Sequence, residues 1–136
     1  AVGTRQVKVS DMHNRLKLYD ENDVIISLHQ NHFSVEKYHG TQVFYSVNHP
    51  HSVELASAVR ESVITRLQPD NTRQLKPATD GIFLLHHTSR PAILVECGFL
   101  SNGQECAVLK DTAYQQQMAF CIFEGFWNCQ LSIDEE

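Results

Sequence analysis

Short apolar runs alternate with longer amphipathic stretches along this chain. Residues 24–28 and 41–47 are rich in β-branched and aromatic residues and are bounded by polar positions, which predicts two strands. Two further apolar runs, 82–85 and 92–95, predict another pair of strands. Short apolar strands that alternate with helices are typical of an α/β fold. We therefore expect a mostly parallel, twisted sheet with helices on both faces.

Apolar residues at helical spacing predict the helices between these strands. A first helix is expected over 10–20, after a strand end or loop at 1–9, and a second helix begins near residue 50. A short helix ends near Leu109, and Asp111 is placed to cap the last helix. The second helix should bury a stripe that comprises Val53, Ala56, Val59, Val63 and Leu67.

Length, composition and charge indicate a single folded domain and disfavour several other classes of protein. The chain has 136 residues, the size of one domain, so residues 1–136 are treated as a single unit. Hydrophobic residues make up 42% and charged residues 20%, which argues against disorder and fibrous repeats. The formal net charge of −5 disfavours binding to nucleic-acid phosphates or anionic lipid. No apolar run is long enough for a membrane span, and no signal-peptide pattern opens the sequence.

Four cysteines, Cys97, Cys106, Cys121 and Cys129, lie in the second half of the chain without a Cys-x-x-Cys pair. Cys121 and Cys129 fall within the apolar pattern of the last helix. That placement indicates small core residues rather than a zinc ribbon or a disulfide framework. Spacing alone leaves a disulfide between Cys97 and Cys106 open.

Two polar residues follow predicted strands and form the main candidate site. His29 comes directly after the run 24–28, and Glu96 comes directly after the run 92–95. Ligands of open parallel sheets bind beyond the carboxyl ends of the strands, so both side chains should emerge at one edge. An imidazole and a carboxylate suit a zinc ligand and a general base. A hydrogen-bonded histidine and a salt-bridged glutamate are the structural alternative.

A cysteine hydrolase is a second interpretation of the same region. Cys97 lies beside Glu96, and His86 or His87 could reach it from a neighbouring strand. Adjacent residues on a strand point to opposite faces, so at most one of those two histidines can face the site. The chain contains no His-Glu-x-x-His, Gly-x-Ser-x-Gly or Walker motif and no dinucleotide-binding glycine pattern, which disfavours the corresponding enzyme classes.

Three segments carry a resemblance to a known family. Residues 91–102, with the sequence PAILVECGFLSN, closely resemble the signature of zinc-dependent N-acetylmuramoyl-L-alanine amidases, although those enzymes usually have threonine where this chain has Cys97. Residues 26–31, ISLHQN, are similar to the family strand that ends in Ser-Ile-His-Ala-Asn. Residues 40–45, GTQVFY, resemble the strand that follows it. With a Thr-Arg pair at 4–5, the likeness extends over nearly the whole chain.

The resemblance implies a function and a site. Family members are bacterial cell-wall hydrolases with a Rossmann-like α/β domain, which implies a Zn²⁺ cofactor, peptidoglycan as the substrate and an extracytoplasmic location. His29 would be one zinc ligand, and Glu96 would be the catalytic carboxylate that moves the proton of the attacking water. The resemblance leaves the substrate-binding residues unassigned. It does not separate a host autolysin from a spore-cortex enzyme or a phage lysin.

The same resemblance predicts that the domain is incomplete at its N-terminus. The family completes its zinc site with a histidine on a first strand and a glutamate on a first helix, and both precede the Thr-Arg pair. Only residues 1–3 precede that pair here. We therefore expect the 136-residue chain alone to lack tight zinc binding and activity, and to self-associate through an uncovered sheet edge. The alternatives are a non-enzymatic amidase-like module that binds peptidoglycan or a partner, and a zinc peptidase that cuts the stem peptide.

Overall fold

Helices and strands alternate along the chain, as the apolar pattern predicts. The structure is a computed structural model that describes residues 3–17 and 23–134. In chain order its elements are α1 (Thr4–Leu16), β1 (Ile25–Asn31), β2 (Gln42–Tyr45), α2 (His51–Arg66), β3 (Lys76–Pro77), α3 (Phe83–His87), β4 (Ala92–Phe99), α4 (Gly103–Leu109) and α5 (Thr112–Asp134).

The described strands form one four-stranded sheet in the order β1-β4-β2-β3. β1 pairs with β4 in parallel and β2 pairs with β3 in parallel, whereas β2 and β4 run antiparallel. The predicted mostly parallel sheet is therefore confirmed. β4 is interior to the sheet and largely buried, while β1 lies at an edge, where Leu28 is 58% exposed.

Helices cover the two faces of the sheet unequally. α2 and α5 pack against each other and against one face, and they form the larger apolar core with the odd-numbered β4 residues Ile93 and Val95. The opposite face carries a smaller cluster of apolar side chains, to which α3 contributes Leu85; the other buried members are Ile25, Ala78, Ala92 and Leu94. Since side chains alternate along a strand, the even-numbered residues of β4 face this smaller cluster.

A glycine permits the close crossing of α2 and α5. A Cβ atom added at Gly125 would lie 2.5 Å from the Cα atom of Val59 and 2.7 Å from its backbone nitrogen. Backbone atoms of a packed helix cannot move aside as a flexible side chain can. Only glycine therefore allows these two helices to approach this closely.

Gly125→Ala is expected to lower the free energy of unfolding by about 1–3 kcal/mol, because it overpacks the α2–α5 interface. Urea unfolding monitored by circular dichroism measures the change. Gly103→Ala is the matched control, since a Cβ atom there meets nothing within 4 Å. Equal stability of the two variants would contradict the close-crossing argument.

Two sequence predictions need correction at α1 and α3. The segment before residue 10, predicted to be a strand end or loop, is helical from Thr4. Gly3 is the N-cap and donates its backbone N–H to Gln6 Oε1 at 3.0 Å. The end of that predicted helix, 18–20, lies outside the described residues. The run 82–85 is not a strand, because Phe83–His87 forms a short helix. A short apolar run does not distinguish a strand from a buried helical turn.

Helix α2 begins where it was predicted, but its buried stripe is shifted. Val53 is 41% exposed, while its neighbours Ser52 and Leu55 are buried. The Ser52 hydroxyl accepts a hydrogen bond from the backbone N–H of Ala92 at 3.0 Å, so a small polar residue joins the helix to β4. Ala56, Val59 and Val63 are buried as predicted.

The last helix agrees with its prediction at both the cap and the cysteines. Asp111 Oδ2 accepts the backbone N–H of Tyr114 at 3.0 Å, which caps α5. Cys121 and Cys129 are buried in the larger core, and all four thiols are free, so Cys97 and Cys106 are not linked. Within residues 3–17 and 23–134, no helix combines the length and apolar character that a membrane crossing requires.

Candidate active site

β1 and β4 bring the two predicted site residues together. Their parallel register pairs His29 directly with Glu96. Both strands continue beyond the predicted ends, to Asn31 and Phe99, so the two residues lie within the strands rather than after them. The residues are nonetheless side by side near the carboxyl ends of parallel strands, where ligands of such sheets bind.

A third polar residue completes a row across the sheet. On the other side of Glu96, the antiparallel register of β2 with β4 places Gln42 directly opposite. The row therefore runs from His29 through Glu96 to Gln42 over three neighbouring strands. Leu94 belongs to the smaller apolar cluster, and alternation along β4 places Glu96 on that same face.

The Glu96 carboxylate is only partly satisfied by its surroundings. Its Oε2 atom is buried and has no hydrogen-bond partner among the residues that the structure describes. No described lysine or arginine forms an ion pair with it, so the salt-bridged alternative is not supported. Burial raises the pKa of Glu96, and the charge of the neighbouring His29 imidazole opposes that rise. A half-buried carboxylate with a free oxygen is suited to accepting a proton.

One carboxylate outside the row ties the loops at this end of the sheet together. Glu105 on α4 accepts the backbone N–H of Gly40 at 2.9 and 3.0 Å and that of Phe99 at 2.9 Å. Gly98 leaves room for it, since a Cβ atom there would lie 2.8 Å from the Glu105 carboxyl carbon. The carboxyl end of β4 and the start of α4 are thereby fixed to the β1–β2 loop. Sequence reasoning missed Glu105, although Asn102 three residues earlier gives the spacing of a capping box.

Aromatic and cationic side chains pack between the same two loops. The Arg73 guanidinium lies over the Phe99 ring at 4.6 Å and over the Tyr38 ring at 5.8 Å. Its Nε atom donates a hydrogen bond to the backbone oxygen of His39 at 2.8 Å. The Phe33 ring contacts Tyr38 edge to face, with ring centres 5.2 Å apart, and is 49% exposed. The β1–β2 loop is thus held as a defined rim beside the site.

The structure argues against the cysteine-hydrolase interpretation. Cys97 packs against the larger core, on the opposite face of the sheet from Glu96. Burial, together with the charge of Glu96, raises the pKa of the Cys97 thiol to about 11, so it is protonated at neutral pH. The predicted partners His86 and His87 lie on α3, which packs on the other face. Neither predicted histidine is therefore placed to activate this thiol, and its raised pKa disfavours nucleophilic attack.

Among the described residues, the candidate metal ligand at this site is His29. His29 is exposed on β1, and its imidazole is available as a ligand. Across residues 3–17 and 23–134, however, no group of three or more histidine, cysteine, aspartate or glutamate side chains could hold a metal ion. Because a catalytic zinc takes three protein ligands, these residues alone do not fit a complete zinc site.

Comparisons with known proteins identify the family of this chain. A family model described as N-acetylmuramoyl-L-alanine amidase matches residues 4–128. The germination-specific N-acetylmuramoyl-L-alanine amidase of Bacillus subtilis (strain 168) is 30% identical over 125 residues, which is 90% of this chain and 52% of the relative. The chain thus spans about half the length of that relative.

Solved structures share the fold. The CwlD amidase from Clostridioides difficile, in complex with the GerS lipoprotein, is 36% identical with a TM-score of 0.89 over 97% of this chain and 67% of that one. An N-acetylmuramoyl-L-alanine amidase from Clostridium difficile 630 is 26% identical with a TM-score of 0.77, over 86% of this chain and 63% of that one. Sequence motifs, fold and family model agree, and the chain belongs to the N-acetylmuramoyl-L-alanine amidase family.

Proposed function

We propose that this protein hydrolyses the amide bond between N-acetylmuramic acid and L-alanine in peptidoglycan, in a zinc-dependent reaction. His29 is one zinc ligand and Glu96 is the general base in this proposal. The in-register pairing of His29 with a half-buried, partly unsatisfied Glu96 carries it, in a chain of the amidase family. The other protein ligands that a catalytic zinc takes are supplied by residues other than these two.

The chemistry assigns each group a separate task. Zinc, when bound, supplies Lewis acidity that polarises the scissile carbonyl. Glu96 accepts a proton from the attacking water and returns it to the nitrogen of L-alanine as the amide bond breaks. The products are a lactyl carboxylate on an intact glycan strand and a stem peptide with a free amino terminus. Because this substrate lies in the cell wall, the proposed site of action is the cell wall, the periplasm or the spore envelope.

Product analysis tests the proposal directly. The full-length, zinc-loaded protein is incubated with purified muropeptides, and the products are separated and identified by mass spectrometry. The expected result is release of peptides that begin with L-alanine from undegraded disaccharides. Addition of a chelator should abolish the release, and restored zinc should recover it.

Two other results would support the two alternative functions, a stem-peptide peptidase and a non-enzymatic binding module. Cleavage between residues of the stem peptide, with the muramoyl amide intact, would identify a peptidase. Retention on insoluble peptidoglycan without any product, at full zinc occupancy, would identify a binding module. Either result would overturn the amidase proposal.

A further inference from the structure

Gln42 is a buried polar residue whose two amide atoms have different surroundings. The residue is 3% exposed at the start of β2. Its Nε2 atom donates to the backbone oxygen of Gln74 at 2.6 Å and to that of Val43 at 3.4 Å. Both partners are carbonyl oxygens, which only accept hydrogen bonds. The side-chain nitrogen of Gln42 must therefore face them, and its oxygen must face the other way. In the part of the chain that the structure describes, no donor reaches Oε1.

The unsatisfied oxygen of Gln42 has a neighbour of the same kind. Gln42 lies directly opposite Glu96 in the antiparallel pair of β2 and β4, so the two side chains share one face. Cβ atoms of directly opposed residues lie about 4.5–5.5 Å apart. Glu96 Oε2 is likewise buried without a donor among residues 3–17 and 23–134. Two adjacent acceptors without donors are costly to bury unless a donor binds between them.

We propose that Gln42 Oε1 and Glu96 together bind the attacking water, each accepting one of its two hydrogens. A water molecule can donate two hydrogen bonds, one to each of two acceptors on opposed strands. Gln42 would then hold the water so that its oxygen lone pair is directed at the scissile carbonyl while Glu96 removes a proton. This inference rests on the proposed amidase function and adds a third residue to its site.

Gln42→Met tests the role of the acceptor, since methionine has similar size but no amide oxygen. Expected is a decrease in kcat of about 10- to 100-fold per zinc-loaded protein, with KM nearly unchanged, because the lost contact orients the water rather than the glycopeptide. Gln68→Met is the matched control. Gln68 accepts the backbone N–H of Thr41, the residue before β2, and donates to the Tyr114 hydroxyl, so the change removes a glutamine amide next to β2 without altering the pairing of β2 with β4.

A second variant separates the acceptor role of Gln42 Oε1 from the hydrogen bond that Gln42 Nε2 donates to the Gln74 carbonyl. Gln42→Glu retains an acceptor oxygen but loses the donor to the Gln74 carbonyl. It should retain a kcat at least about tenfold higher than that of Gln42→Met, even where its Tm is lower. Equal kcat for these two variants, or an unchanged kcat in Gln42→Met, would overturn the water-binding role. If Gln42→Met does not fold, the test depends on Gln42→Glu alone. Loss of activity in folded, zinc-loaded Gln42→Glu would then overturn the water-binding role of Gln42.

Failure of this inference and failure of the amidase proposal give different results. If the unmodified protein releases no L-alanine peptides, the proposed function itself is wrong. If it releases them while Gln42→Met matches its kcat, only the role of Gln42 is wrong.

Discussion

Glu96→Gln is expected to lower kcat by roughly 10²–10⁴ in the full-length, zinc-loaded protein. The glutamine side chain has the same shape as glutamate but cannot accept a proton from water. Glu96 makes no ion pair with a described lysine or arginine, so its replacement breaks no charged contact of that kind. Zinc content and Tm should therefore change little. Release of L-alanine peptides from muropeptides, measured as initial rates, provides the test.

Glu61→Gln is the matched control for Glu96, because it makes the same chemical change on the exposed surface of α2. Its kcat should equal that of the unmodified protein. A near-normal rate in Glu96→Gln would remove Glu96 from the mechanism. A rate loss that followed loss of zinc or of folded protein would assign it a structural role instead.

His29→Ala should reduce both zinc affinity and activity. If the site has three protein ligands, removal of one leaves an incomplete shell. Changes to outer-shell partners of a metal ligand cost about 10- to 100-fold in affinity, so the loss of a ligand should exceed 100-fold. His29 is exposed on an edge strand, and the alanine variant should keep its fold. Metal analysis after dialysis, combined with zinc titration, measures the effect.

His51→Ala is the control for this change, since His51 lies at the start of α2, near the amino end of β4. It contacts the exposed Glu54 carboxylate at 3.1 Å. The control should retain zinc and activity. Stoichiometric zinc in dialysed His29→Ala would mean that His29 is an ordinary strand histidine and that the zinc site lies elsewhere.

Local sequence patterns predicted the elements that have strong signals of their own. The apolar runs before His29 and Glu96 correctly indicated strands, and the Asp111 cap correctly marked the start of α5. The prediction of a strand at 82–85 was wrong because four consecutive apolar residues suit a buried helical turn as well as a strand. Tertiary packing decided between strand and helix. The segment packs on one face of the sheet, where Leu85 joins Ala92 and Leu94 in the smaller apolar cluster.

Some residues of the candidate site were predictable from the sequence and others were not. Two side chains, His29 and Glu96, were identifiable because each comes directly after an apolar run in the sequence and each lies in a segment that resembles the amidase family. Gln42 was not identifiable, because a polar residue near a strand end carries no specific signal. Glu105 was missed for a related reason, since its role depends on Gly40, which is 65 residues away in the sequence.

The sequence by itself determined the family and the α/β class, and it nominated His29 and Glu96 as candidates for zinc binding and proton transfer, because these follow from local composition, periodicity and motifs. Tertiary structure alone decided which side chains meet. Register between strands far apart in the sequence placed Glu96 between His29 and Gln42. The face on which a side chain lies decided that Cys97 is a half-buried thiol of raised pKa rather than a nucleophile. Register and face depend on how distant segments pack together, and a local pattern does not contain that information.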